Sequence, residues 1–209
     1  MTNRHISCNI RFILDLIDYS EYIDVDNLIF LDFYRAFDSV EHHFLFRSLQ
    51  SFGFGEMFVS YIRRLYKDIS SCVMLYPNTT KSFSVCRSVR QGCPCSPFLF
   101  LIVVELLSIQ IRQSNVFQGL KIFEREIWIT QLADDTVLFL ENKQQIETAL
   151  EIIDTFSNAS GLKLNLTQCE LLCLYNTEET LLGKIPVKES VKYLGIHISK
   201  NLNERQVKN

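Results

Sequence analysis

Two carboxylates stand side by side in the stretch WITQLADDTVLFLEN, at Asp134 and Asp135, inside a run that otherwise reads as buried strand. Acidic side chains are almost never fully buried without a partner, so this pair asks for one. Successive strand side chains point to opposite faces, and adjacent acids can share a site only from a tight turn. EIWITQL leading in and TVLFLEN leading out therefore read as a hairpin with Ala133–Asp135 at its tip. Leu132, Val137, Leu138, Phe139 and Leu140 would anchor that tip in the core. A third acid, Asp32, ends the apolar run NLIFLD. If the two runs are neighbours in one sheet, three carboxylates converge at one edge. Like charges that close raise one another's pKa, and desolvation adds to the cost. A divalent cation reverses the sign of that interaction. Mg²⁺ fits, being held by one or two carboxylates with substrate phosphates and water completing its shell. Two such ions can activate an attacking hydroxyl and stabilise the leaving oxygen in phosphoryl transfer. The plainer alternative is a solvated Asp-Asp turn, since Asp is common in turns. Taken alone, ADD favours that alternative; Asp32 and the glycine-containing motif RQGCPCSP reverse the order.

The elements that must position these acids can be read from periodicity. ISCNIRFILDLIDYS carries apolar residues at three- and four-residue spacing and reads as an amphipathic helix. NLIFLDF is apolar on both faces, as a central buried strand would be. In DSVEHHFLFRSLQSFG, Asp38 can cap a helix, with Glu41 three residues on and Gly53 as its stop. EMFVSYIRRLYKD reads as another helix, and SSCVMLYPNTTKSFSVCRSV as a hairpin turning at Pro77-Asn78. A long helix follows, with Ser96 as N-cap and Pro97 at its first position. QQIETALEIIDTFSNASG is an amphipathic helix ended by Gly161, after which LKLNLTQCELLCLY and VKYLGIHIS read as strands. The expected class is α+β, a mostly antiparallel sheet backed by helices.

The chain has 209 residues, 47% of them hydrophobic, with a net charge of −3. That composition builds a sizeable core and excludes a disordered chain. The pI near 5.8 argues mildly against a broad nucleic-acid surface, which is usually basic. The longest apolar run, Phe98 to Val104, is too short for a bilayer, so no membrane partner is expected. No export signal precedes the first helix, and the seven cysteines are an odd number. Free thiols in an intracellular compartment, nucleus or cytoplasm, are the expectation. Cys93-Pro94-Cys95 and Cys169-x-x-x-Cys173 lack the spacing of a zinc site.

Read in order, FLDFYRAFDSVEH, SVRQGCPCSPFLFLIVVELL, TQLADDTVLFL, SGLKLNLTQCELL and VKYLGIHIS resemble the consecutive polymerase motifs of reverse transcriptases of the non-LTR (LINE-type) retrotransposon branch. The resemblance implies a reverse-transcriptase palm with partial fingers, in one domain fragment over residues 1–209. Residues 1–25 would be a partial fingers helix, 26–175 palm with interleaved fingers elements, and 176–209 a primer-grip-like hairpin and tail. It implies an RNA-directed DNA polymerase joining a deoxynucleoside triphosphate to a DNA primer 3′-hydroxyl on an RNA template, with two Mg²⁺ ions or Mn²⁺ in their place. Asp32 and Asp134 would hold both ions, Asp135 would support them, and the backbone carbonyl of Phe33 would lie near one. Phe37 would sit beneath the sugar and leave no room for a 2′-hydroxyl. Gln91 and Gly92 would lie beside the nucleotide, with Arg90 and Arg35 as phosphate contacts. Tyr193 and Leu194 would support the primer end. Two residues depart from the pattern: Leu132 stands where an aromatic residue is usual, and Gln168 where a Lys is thought to protonate the leaving pyrophosphate. Upstream fingers strands, a thumb, an endonuclease domain and a zinc knuckle are expected to be missing from this stretch. Two other functions compete with polymerisation: a non-catalytic remnant of the same fold serving as a binding module, and a Mg²⁺-dependent phosphohydrolase using the same acids. The oligomeric state is not legible from the sequence.

Overall fold

A computed structural model describes residues 6–22, 26–114, 119–122, 124–175 and 177–201. The outer parts of the expected fingers segment and the tail beyond residue 201 lie outside them. Six α-helices are described: α1 Ile6–Asp18, α2 Ala36–Ser39, α3 His42–Ser51, α4 Glu56–Leu65, α5 Ser96–Arg112 and α6 Gln144–Ser160. The main sheet has four strands in the order Glu170–Cys173, Asn27–Leu31, Asp135–Leu140, Ile129–Leu132, and every neighbouring pair is antiparallel.

All five residues of the central strand Asn27–Leu31 are buried, and strand alternation explains how. Ile29 and Leu31 join Leu138, Leu140 and Leu171 on one face, against the apolar stripes of α3, α4, α5 and α6. Leu28 and Phe30 join Val137, Phe139 and Leu172 on the other, against α1 and the hairpin Ser190–Ser199. Helices therefore cover one face and a helix plus a hairpin the other. A sheet covered twice needs apolar residues at consecutive positions, which is the pattern of NLIFL and VLFL.

Four local expectations are corrected. Asp38 does not cap one long helix. The chain forms α2, breaks at Val40 in extended conformation (φ −60°, ψ 121°), and restarts at α3 with Glu41 as N-cap. Tertiary backbone bonds impose the break: Ser88 N–H donates to the Val40 carbonyl at 2.8 Å and Glu41 N–H to the Ser160 carbonyl at 2.9 Å. Ser96 is the first residue of α5 rather than its cap, which is Cys95, and its buried hydroxyl makes no hydrogen bond among the described residues. LKLNLTQCELLCLY is not one strand: only Glu170–Cys173 is regular, joined upstream by an isolated bridge between Phe33 and Leu164. The hairpin over 70–89 forms as two short ladders, and its turn falls at Tyr76–Pro77, one residue earlier than expected.

Gly161 fixes how α6 meets the segment that follows Asp32. Its φ is +83°, and a Cβ there would collide with the Ser39 carbonyl oxygen. Gly161→Ala should therefore cost more than the ~1 kcal/mol typical of a residue forced into the left-handed region. A melting temperature lowered by at least about 3 °C is expected, and an unchanged melting temperature would contradict this packing.

Candidate active site

The site is assembled by register. Leu31 pairs with Thr136, so one step on, Asp32 leaves the central strand level with Asp135. Leu132 closes the hairpin against Asp135, which leaves Ala133 and Asp134 as a two-residue turn. Ala133 takes the positive φ of 55° that such a turn requires. Hairpin and central strand thus deliver three acids, one of them roughly 100 residues from the adjacent other two in sequence, to one end of one sheet. All three side chains reach solvent. Burial pushes the Asp135 carboxyl upward from its ordinary pKa, and the charges of Asp134 and Asp32 push it further in the same direction.

Asp32 and Asp135 line a cavity of about 100 Å³ with Gln168, Glu170, Lys192 and Tyr193; Asp134 stands outside its lining, at the turn. The Tyr193 hydroxyl and the Asn9 amide nitrogen on α1 are buried next to each other, near enough to interact but without the geometry of a well-formed hydrogen bond. Burial pushes the Tyr193 phenol up to about 12, with Asn9 pulling the other way and Asp135 adding to the rise. Among the described residues no three His, Cys, Asp or Glu side chains are gathered closely enough to hold a metal ion by themselves. The donor set nonetheless fits a magnesium-type ion, which takes one or two carboxylates and completes its shell with substrate oxygens and water. The cavity has room for ordered water, and two mutually repelling carboxylates at its wall are what a cation would relieve. The Phe33 carbonyl fits as well. Tyr34 N–H donates to the Lys163 carbonyl and Asn165 N–H to the Asp32 carbonyl, so alternation along the strand turns the carbonyl of Phe33 away from that ladder.

A polar relay that the sequence reading missed braces the hairpin. Thr136 is buried, accepts from the Gln131 side chain at 3.3 Å, and Gln131 in turn accepts from Ser108 on α5. A Thr inside TVLFL and a Ser inside LLSIQI were the only signals, each a polar residue on an otherwise apolar face. Lys192, Glu170 and Gln168 at the cavity were likewise not singled out as lining one pocket. Lys163 lines a different groove, along α6 with Glu147, Glu151 and Asp154, so it does not stand in for the Lys absent at position 168.

The second group of expected residues is brought together beside α5. Val89 N–H donates to the Phe37 carbonyl at 2.7 Å, and the Gln91 amide donates to Asp38 at 3.1 Å. Phe37, Gln91, Gly92 and Ser96 thereby line one open cavity of about 550 Å³. Phe37 is half-buried and stacks on Phe100 with ring centroids 4.3 Å apart and planes 15° from parallel. Gly92 has a φ of +78° and no atom within 4 Å of where a Cβ would sit, so its backbone is open to a ligand. Arg90 and Arg35 are exposed, neither in the lining of this cavity, and Arg35 takes the left-handed turn (φ 45°) between the central strand and α2. Tyr193 is not at the surface: it packs edge-on against Phe30 at 5.4 Å, while Leu194 occupies the hairpin turn with Gly195.

The like-charge strain at Asp135 has a measurable consequence. A carboxyl whose pKa is raised on folding binds its proton more tightly in the folded state. Its ionisation therefore opposes folding: the penalty is fully present above the raised folded pKa and absent below the ordinary aspartate range. Asp135→Asn should raise the melting temperature of metal-free protein by about 1–2 °C at neutral pH, the effect being small because the group is solvent-screened. The difference should vanish in acid. A melting temperature lowered at neutral pH would reverse this reading.

A twice-covered antiparallel sheet with an acidic hairpin turn level with a strand-ending acid is a palm-type polymerase fold. Consistent with it, the chain superposes on telomerase from Candida tropicalis solved with a fragment of telomeric RNA (TM-score 0.63, 12% identity, 93% of this chain and 31% of that one). A C-terminally truncated apo form superposes similarly (TM-score 0.62, 13% identity, 95% and 38%). Residues 10–198 match the family described as reverse transcriptase (RNA-dependent DNA polymerase), and the chain belongs to that family. Its relatives are elements of the non-LTR branch. It is 27% identical over 94% of its length to the Transposon TX1 uncharacterized 149 kDa protein of Xenopus laevis. It is 34% identical over 66% of its length to the Pol polyprotein of the R2 element of Popillia japonica, and 31% over 66% to that of R2DM of Drosophila melanogaster. The chain spans only 15%, 20% and 13% of those three proteins. Among the described residues no helix is long and apolar enough to cross a membrane.

Proposed function

We propose that this chain is the polymerising core of an RNA-directed DNA polymerase that extends a DNA primer on an RNA template with deoxynucleoside triphosphates. The observation that carries the reading is the convergence of Asp32 with Asp134 and Asp135 on one sheet end, where Asp135 feels the charge of both. Asp32, Asp134 and Asp135, with the Phe33 carbonyl, would hold two divalent ions, Mg²⁺ or Mn²⁺. When bound, such ions supply the positive charge that favours ionisation of the primer hydroxyl and offsets the charge of the leaving pyrophosphate. The protein's part is then mostly positioning and preorganised electrostatics. Phe37, braced by Phe100, presents an edge where the sugar would lie; Gln91 and Gly92 offer a side-chain amide and an open backbone beside it. Arg90 and Arg35 are exposed cations for template or triphosphate oxygens. Tyr193 would act from beneath the primer end, because it is buried, and Leu194 from the hairpin turn. No lysine stands at position 168 to serve as a general acid, so the proton reaching pyrophosphate comes from water or from Lys192, the one ammonium in the acid cavity's lining.

The test is primer extension on an RNA template by the purified, folded protein, with deoxynucleotides and Mg²⁺ or Mn²⁺. Cation-dependent extension is the expected result. A folded sample that extends nothing under either cation would instead favour the non-catalytic remnant. Phosphate release from small esters would favour the hydrolase.

A further inference from the structure

We propose that Cys169 is a positioning residue for Asp32, acting through its sulfur on the backbone of that acid; the proposal rests on the reading of Asp32 as a catalytic group. The Asp32 N–H donates to Cys169 Sγ at 3.4 Å, and the same sulfur lies 3.7 Å from the Asp32 carbonyl, to which its S–H donates. A thiol is a weak donor and a weak acceptor at once, so one side chain engages both polar groups of one peptide residue. Cys169 is fully buried, which holds that contact away from competing water.

The local chain path explains why such a clamp is needed. Phe30 pairs with Glu170, yet the next pairing on the same edge is Phe33 with Leu164. Three steps along the central strand therefore face six along its neighbour. The excess loops out opposite Asp32, as irregular strand often does beside an active site. The ladder that would fix Asp32 is interrupted there, and the loop supplies replacements. Asn165 N–H donates to the Asp32 carbonyl at 2.9 Å. Gln168 and Cys169 N–H groups both donate to the Asn165 carbonyl at 2.9 Å, closing the turn that brings the sulfur into place. Thr167 Oγ1 donates to Asn165 Oδ1 at 2.9 Å and stiffens it. Asp32 is thus held by a side chain from the loop after α6, while its carboxylate stays free to face the cavity.

The two informative variants are Cys169→Val, which stays apolar, is larger by about one methyl group and removes both polar contacts, and Cys169→Ser, which keeps a donor and acceptor with shorter reach. In wild-type context, Cys169→Val should lower kcat for nucleotide incorporation about 10- to 100-fold, the range expected of a slightly misplaced catalytic group. KM for the nucleotide should stay within about 2-fold, because the cavity lined by Phe37 and Gln91 is untouched. Cys169→Ser should recover a large part of kcat. Residue-resolved hydrogen exchange provides a readout independent of activity: the Asp32 amide should exchange about 10-fold faster in Cys169→Val while the Phe30 amide stays protected. An active wild type with equal kcat in Cys169→Val would overturn the proposal. If the wild type does not polymerise, the proposed function fails by itself, and identical Asp32 exchange in both proteins would still overturn the contact.

Discussion

Replacing Asp32 by Asn should lower the single-turnover rate of nucleotide incorporation about 10³-fold without unfolding the protein. The side chain keeps its size, and the backbone contacts that hold the position, from Cys169 Sγ and Asn165 N–H, do not involve the carboxylate. What is lost is one full negative charge facing the cavity shared with Asp135. Charge stabilisation at a metal-assisted phosphoryl centre contributes several kcal/mol to the barrier, and about 4 kcal/mol corresponds to about 10³ in rate. The same change removes one of the two charges that raise the Asp135 carboxyl, so the metal-free variant should melt no lower than wild type. Loss of rate with retained stability is the signature of a residue kept for chemistry. A rate within 10-fold of wild type would sink the assignment of Asp32, and with it the shared-cation reading of the sheet end.

Phe37→Val should relax sugar selection, raising ribonucleotide incorporation relative to deoxynucleotide about 100-fold. A steric contact of one small group is worth about 1–3 kcal/mol of discrimination. The ring can act as a wall because it cannot swing away: one face is stacked on Phe100, itself fully buried, and the Phe37 carbonyl is tied to Val89 N–H. The rest of the ring lines the cavity with Gln91 and Gly92. Val is shorter and leaves the Phe100 face partly bare, so a loss of about 1–2 kcal/mol of stability should accompany the change. Phe37→Tyr, which retains the ring, should keep discrimination within a few-fold of wild type. The check is the ratio of incorporation rates for ribo- and deoxynucleotides carrying the same base. If the ratio in Phe37→Val matches wild type, Phe37 is a core residue only.

These two expectations draw on opposite properties of the site. Asp32 and Asp135 repel each other, and Asp135 is held above its ordinary pKa, so the acid corner opposes stability until something positive joins it. Phe37 is the reverse, a residue whose packing and proposed function agree. Stability measured beside activity therefore separates them: removing a carboxylate should leave the fold intact or strengthen it, whereas removing the ring should weaken it.

The amino-acid sequence alone determined most of the elements and the chemistry on offer. Unbroken apolar runs at NLIFL and VLFL specify strands buried on both faces, three- and four-residue spacing specifies α1 and α6, and the adjacent acids at 134 and 135 specify a turn. Those signals survive because each arises within a few residues. Tertiary structure decided everything that needed two distant segments to meet. Only strand register set Asp32 level with Asp135, and only the mismatch between three residues and six brought Cys169 under Asp32. Asp38 had every local feature of a helix cap, yet backbone bonds from Ser88 and Val89 claimed the neighbouring carbonyls and gave Asp38 to Gln91. Ser96 lost its capping role by lying one residue inside α5. Lys192, Tyr193 and Glu170 came to the acid cavity because a hairpin packs over the second face of the sheet. A local pattern fixes which face of an element is apolar, but burial of that face against several partners is what selects the pairing, and that free energy belongs to no single stretch of the chain.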